Sequence, residues 1–155
     1  MPFSIRGLEA SAFADLFRLT DTELAALGTR RVLADEADAF PCRVSLKRVS
    51  VGSELLLLNH AHQRTTTSPY RASGPIYVSR NADTGYYRSE LPPILRDRLL
   101  SLRAYDADAI MVDAEVAEGE EVLGLVERFL ANANVTHVDA HFARRGCFAV
   151  RIERD

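Results

Sequence analysis

From Val135 to Glu153 apolar and polar residues alternate in two successive runs, a period of two that strands satisfy and helices do not. In Val135–Phe142 the side chains of Val138, Ala140 and Phe142 point one way and those of His137, Asp139 and His141 the other. In Cys147–Glu153, Phe148, Val150 and Ile152 take one face, and Cys147, Arg151 and Glu153 take the opposite one. A three-residue loop, Arg144-Arg145-Gly146 with Gly in the left-handed position, brings the two patterns into agreement. It predicts the pairs Phe142–Phe148, Val138–Ile152, Asp139–Arg151 and His137–Glu153. A two-residue loop would set Phe142 against Cys147 and mix the faces.

The apolar face of such a hairpin needs a cover. Glu120–Ala131 supplies an amphipathic helix whose stripe is Val122, Leu123, Val126, Phe129 and Leu130. Glu118, Glu120 and Glu121 sit at its N-terminal end, where negative charge is favoured. Leu99–Tyr105 and Ile110–Val116 predict a further hairpin around Asp106-Ala107-Asp108, and strand, helix, strand in sequence implies a crossover with the helix on one face.

Upstream, Phe3–Arg6 reads as a short strand, and Phe13, Leu16 and Phe17 share one helical face. Thr20-Asp21-Thr22-Glu23 is a capping box, and Gly28 stops the helix it opens. Strands are expected at Arg30–Ala34 and Arg43–Leu46, with Leu55–Leu58 as a buried central strand. Gln63–Pro75 reads as a long polar loop, Ile76–Ser79 as a strand, Asn81–Ser89 as turns, and Pro92–Arg98 as a short helix. The expected fold is α+β: a mostly antiparallel sheet with a C-terminal strand-helix-hairpin unit and short N-terminal helices. The 155 residues carry no repeat or linker, so residues 1–155 are expected to form a single domain.

Charge narrows the function classes. A formal net charge of −3 argues against a dedicated nucleic-acid binder and against a polybasic membrane anchor. No apolar run approaches the roughly 18–20 residues that span a bilayer. The opening Met-Pro-Phe-Ser-Ile-Arg lacks the basic flank and apolar core of a signal peptide, so the expected location is cytoplasmic. Of the 19 basic residues all but Lys47 are arginine, a skew that G- and C-rich codons produce without any role in anion recognition. Cys42 and Cys147 form no CxxC pair and read as reduced thiols.

All four histidines fall in two strand-spaced motifs, His60-Ala61-His62 and His137-Val138-Asp139-Ala140-His141. Imidazoles and a carboxylate on one strand face can converge on zinc or iron, although the cross-strand pairs Asp139–Arg151 and His137–Glu153 account for the same residues. No metal or cofactor is assigned on this basis. Cys147, beside Arg144 and Arg145 and on the face of His141 and Asp139, has the neighbours a thiol nucleophile uses. In Ser68–Pro75, Arg71 is placed to clamp a carboxylate or phosphate with Tyr70, Ser73 and backbone amides beside it. Arg103 and Tyr105 are expected to share a polar sheet face with Asp113 and Glu115.

Several of these segments together resemble a bacterial family, the domain-of-unknown-function 1203 family. The resemblance rests on Ile5-Arg6-Gly7-Leu8, Phe40-Pro41-Cys42-Arg43-Val44-Ser45-Leu46, Leu55–Asn59 with His62-Gln63, and Ser68–Ile76. It continues through Ser101-Leu102-Arg103-Ala104-Tyr105-Asp106, His141 and Ala143-Arg144-Arg145-Gly146-Cys147. It implies no activity. In that family an aromatic residue usually stands at the place of His60 and Asn at the place of Phe142, which leaves His62 and His141 as the better histidine candidates. Gly74-Pro75-Ile76-Tyr77-Val78 with Tyr86-Tyr87 is faintly similar to ADP-ribosyl transferases, whose His-Gly motif and catalytic glutamate have no counterpart here.

The sequence therefore predicts a polar pocket for a small anionic molecule. His62, His141 and Cys147 stand as candidate catalytic groups, and Tyr70, Arg71, Ser73, Arg103 and Arg144 as candidate ligand-binding groups. The alternatives are a non-catalytic interaction module or homo-oligomer, and a metal-dependent enzyme built on the histidine strands. No nucleic acid or membrane partner is expected.

Overall fold

The computed structural model describes residues 2–155. Strand β1 (Phe3–Arg6) buries Phe3 and Ile5. Two 3₁₀ turns, Ala10–Ala12 and Ala14–Arg18, then bury Phe13 and Phe17. The capping box opens α1 (Asp21–Ala26): the Thr20 hydroxyl accepts from the Glu23 amide at 3.2 Å and donates to the Glu23 carboxylate at 3.0 Å. Gly28, at φ 69°, ends it. The chain continues through β2 (Arg30–Leu33), β3 (Glu54–Gln63), β4 (Ala72–Ser79), β5 (Tyr86–Arg88), β6 (Leu100–Tyr105) and β7 (Met111–Ala117). It closes with α2 (Glu121–Ala131), β8 (His137–Phe142) and β9 (Phe148–Arg154).

The strands form two sheets, one of six in the order β5-β1-β9-β8-β6-β7 and one of three in the order β2-β3-β4, with all neighbours antiparallel. The fold is the expected α+β. Both β7 and β8 lie antiparallel to β6, so they run parallel to each other, and α2 carries the chain over the strand between them. Val122, Val126, Phe129 and Leu130 of α2 pack on Leu100, Leu102, Val138, Ala140, Val150 and Ile152 of the large sheet. In the helical stripe Leu125 is buried and Leu123 only partly so. Arg154 closes the far end of α2 by donating to the carbonyls of Leu130, Asn132 and Val135. A second core joins Phe13, Phe17 and Leu24 to Leu56, Leu58, Ile76 and Val78 of the small sheet.

Several expected boundaries shift where contacts between distant segments decide them: the Leu55–Leu58 strand extends to Glu54–Gln63 by pairing with β4, and four others change. Arg43–Leu46 is a turn rather than a strand. Its backbone groups bond to separate neighbours, with Arg43 N–H donating to Tyr77 O at 3.0 Å and Gly85 N–H to Val44 O at 2.8 Å, while Leu46 sits at φ 61°. Gly7 is packed so close to this turn that a Cβ there would lie 1.8 Å from the Val44 carbonyl oxygen. The Gln63–Pro75 loop is shorter than expected, since β4 already begins at Ala72; Pro75 is tolerated because β4 is an edge strand. The turn-rich Asn81–Ser89 contains β5, and Pro92–Arg98 forms only one 3₁₀ turn, Pro93–Leu95, pinned by buried Ile94 and Leu95.

The terminal hairpin keeps three of its four predicted pairs: His137–Glu153, Val138–Ile152 and Asp139–Arg151. The Phe142–Phe148 pair does not form. Ala149 is an extra residue on β9, so His141 pairs with Phe148, and Phe142 meets Cys147 across the loop Ala143–Gly146. The bulge turns Phe148 off the apolar face and onto the face of His141. Asp113 and Glu115 also fall elsewhere than expected: they pair with Ala104 and Leu102, so they lie on the opposite face from Arg103 and Tyr105.

Candidate functional site

The face of the large sheet turned away from α2 carries three cross-strand rows over β6, β8 and β9. They are Ser101–His141–Phe148, Arg103–Asp139–Arg151 and Tyr105–His137–Glu153. The end of β3 lies over these rows. Arg151 donates from Nη2 to the His62 carbonyl at 3.0 Å, and the His62 ring stacks on Phe148 with centroids 5.0 Å apart. His62 also meets His141 edge-on, again at 5.0 Å. A polar layer is thus enclosed between the two sheets.

Asp139 is 0% exposed and is held from two directions by Arg151, Nε to Oδ1 at 2.8 Å and Nη2 to Oδ2 at 3.1 Å. Burial works against the Arg151 cation, but Asp139 outweighs it and holds the guanidinium above its usual range. Arg103 faces the same aspartate in register yet enters no ion pair among the described residues. Its Nε donates to Ser101 Oγ at 3.1 Å, and its Nη1 lies 3.5 Å from His141 Nε2.

Burial disfavours the charged form of all four histidines. Burial pushes His141 down to about 4, with Arg103 adding to it and the Gly146 carbonyl opposing. Burial and the neighbouring His62 take His60 to about 4 as well. His62 is lowered by burial against the pull of Asp139, and His137 by burial together with Arg151. His137 Nε2 lies 3.9 Å from the Asp139 carboxylate, an ion pair only when His137 is protonated, which burial opposes. His141 Nδ1 lies 3.0 Å from the Gly146 carbonyl, which can only accept, so Nδ1 carries the proton and Nε2 presents its lone pair beside Arg103. Burial, followed by the Asp139 charge, raises the Tyr105 phenol. His62 Nδ1, His137 Nε2 and Gln63 Nε2 are buried without a hydrogen-bond partner.

The predicted site residues fall into separate places. His62, His141 and Arg103 come together in the layer. Tyr70 reaches its edge, with its ring 6.0 Å from that of Tyr105 in a T-shaped contact. Arg71 and Ser73 lie in an open groove of about 510 Å³ along the β3–β4 hairpin, with Ala61, Gln63, Arg64 and Ala72. Arg144 is exposed in the hairpin loop and enters no ion pair among the described residues. Cys147 accepts from Arg43 Nη2 at 3.3 Å. Among the described residues no three His, Cys, Asp or Glu side chains form a metal-holding group: His137 and His141 flank Asp139 along β8, and Arg151 on β9 takes that carboxylate.

Arg43 escaped the sequence reading. It is 1% exposed, donates to the Phe148 and Pro41 carbonyls at 2.9 and 2.8 Å, and lies over the Phe142 ring. Burial lowers it below the usual guanidinium range, against the Cys147 sulfur. Its signal was an arginine set among Phe40, Pro41, Cys42 and Val44, where a solvated side chain is out of place.

A family model described as a protein of unknown function (DUF1203) matches residues 39–154. The chain belongs to the DUF1203 family. The matched segment of this DUF1203 protein holds every residue of the polar layer and of the groove, while β1, α1 and β2 precede it. No curated protein and no solved structure matches the chain. No helix among the described residues is long and apolar enough to cross a membrane.

Proposed function

We propose that this DUF1203 protein binds a small carboxylate at Arg103 in the polar layer. One observation carries the reading: the part-buried Arg103 guanidinium has no carboxylate of its own, because the aspartate across from it is already matched by Arg151. A cation held there keeps unused donors in the fork geometry that suits a carboxylate. Beside it, the Nε2 lone pair of His141 is met only by the long 3.5 Å contact from Arg103 Nη1, which a hydroxyl or amine donor next to the ligand's carboxylate would replace. His62 closes the site from the small sheet, and its unpartnered Nδ1 is available to the same ligand.

The test is melting temperature in the presence of acetate, lactate and citrate at matched ionic strength. At least one is expected to raise it, and Arg103→Gln to abolish that rise while leaving the unliganded protein within a few degrees of the parent. If none of the three stabilises the parent protein, or if Arg103→Gln responds as the parent does, the reading fails.

A further inference from the structure

We propose a second, separate anion site in the groove of the β3–β4 hairpin, built for a phosphate group. Its wall offers donors: the guanidiniums of Arg64 and Arg71, the Ser73 hydroxyl and the Gln63 amide, with Ala61 and Ala72 between them. No acidic side chain lines it, and neither arginine enters an ion pair among the described residues. Two cations on one wall repel each other, and an ordinary solvated face relieves this by interleaving acids. Here the relief is left to a ligand.

Gln63 is the second observation. It is 4% exposed, it lines the groove, and its Nε2 has no partner. A buried amide donor left unmatched is costly, so its persistence points to an acceptor that arrives from outside. The wall is also held in place before any ligand binds. The Ser68 hydroxyl, buried below the loop, donates to the Ala109 carbonyl at 2.7 Å and accepts from the Tyr70 amide at 3.0 Å, which fixes the residue next to Arg71. A wall of donors without an acid suits a phosphate group, whose oxygens all accept and which carries more negative charge than a carboxylate. At about 510 Å³ the groove has room for a phosphate ester of a small molecule.

The probe is inorganic phosphate, followed by calorimetry at ionic strength fixed with chloride. Saturable binding is expected, weakened at least tenfold in Arg71→Gln and in Arg64→Gln, and partly restored in Arg71→Lys, which returns the charge but not the fork. Both positions are exposed, so these variants are expected to fold, and circular dichroism checks it. Arg103→Gln separates the two sites, since it should leave phosphate binding unchanged. Absence of saturable heat, or equal binding in the Arg64 and Arg71 variants and the parent, would overturn the proposal. So would loss of phosphate binding in Arg103→Gln alone, which would move the anion to the polar layer.

Discussion

Asp139 is wholly enclosed, whereas the Arg151 side chain that binds it keeps 33% of its surface exposed. The two members of this pair therefore respond differently to loss of the other. Arg151→Met strands a carboxylate with no route to water and is expected to cost about 3–5 kcal/mol in urea unfolding. Asp139→Asn leaves a cation that can turn toward solvent, and its cost should be clearly smaller. The double variant should recover much of the Arg151→Met loss; equal costs for the two single variants would show that the exposure difference has no energetic weight. At this scale the sequence was legible where alternation rules: Asp139, Arg151, His137 and Glu153 were paired correctly by parity alone. Parity could not see past one inserted residue, so Phe148 was assigned to Phe142 and the meeting of Phe142 with Cys147 was rejected. Nor could it bring Arg43 to Cys147, because that contact spans more than a hundred positions and rests on a turn.

Among the elements, β7 is an edge strand open to pairing with another chain, with Val112 and Val116 at 44% and 51% exposure. Two of its own carboxylates sit on its backbone donors. Asp113 accepts from the Ala114 amide at 2.8 Å and Glu115 from the Val116 amide at 3.0 Å. A neighbouring strand would have to displace both and bring its own carbonyls up to two negative charges. Asp113→Thr with Glu115→Thr removes this obstruction in residues that favour strands, so the variant is expected to self-associate in sedimentation velocity under conditions where the parent does not. An unchanged sedimentation coefficient would show that the carboxylates are not what protects the edge. The elements themselves were largely readable, since capping residues, a helical stripe and period-two runs are local signals. Boundaries failed where tertiary contacts decide: Arg43–Leu46 is bent by its bonds to Tyr77 and Gly85, and Ala72–Pro75 is drawn into β4 by pairing with β3.

In the molecule as a whole, the histidines link stability to pH. With folded values near 4 for His60 and His141 against an ordinary 6.5, the unfolded chain binds more protons between those limits. Their contribution is complete above about pH 6.5 and is lost as pH falls toward about 4, by at most about 1.4 kcal/mol per pH unit for each group. With the same shift the two contribute alike, so urea unfolding at successive pH values is expected to give a shallower acid slope in His141→Gln than in the parent. An identical slope would remove His141 from the account. The sheet that holds these groups also has an order of assembly built into it. Strand β1 lies between β9 and β5, with Ile5 opposite both Ile152 and Tyr87. Strand β1 is made before β9 and every element between them, so Phe3 and Ile5 stay without their full places in the core until all of those have been synthesised. Until β9 emerges, that short apolar strand is the part of the nascent chain most in need of a chaperone.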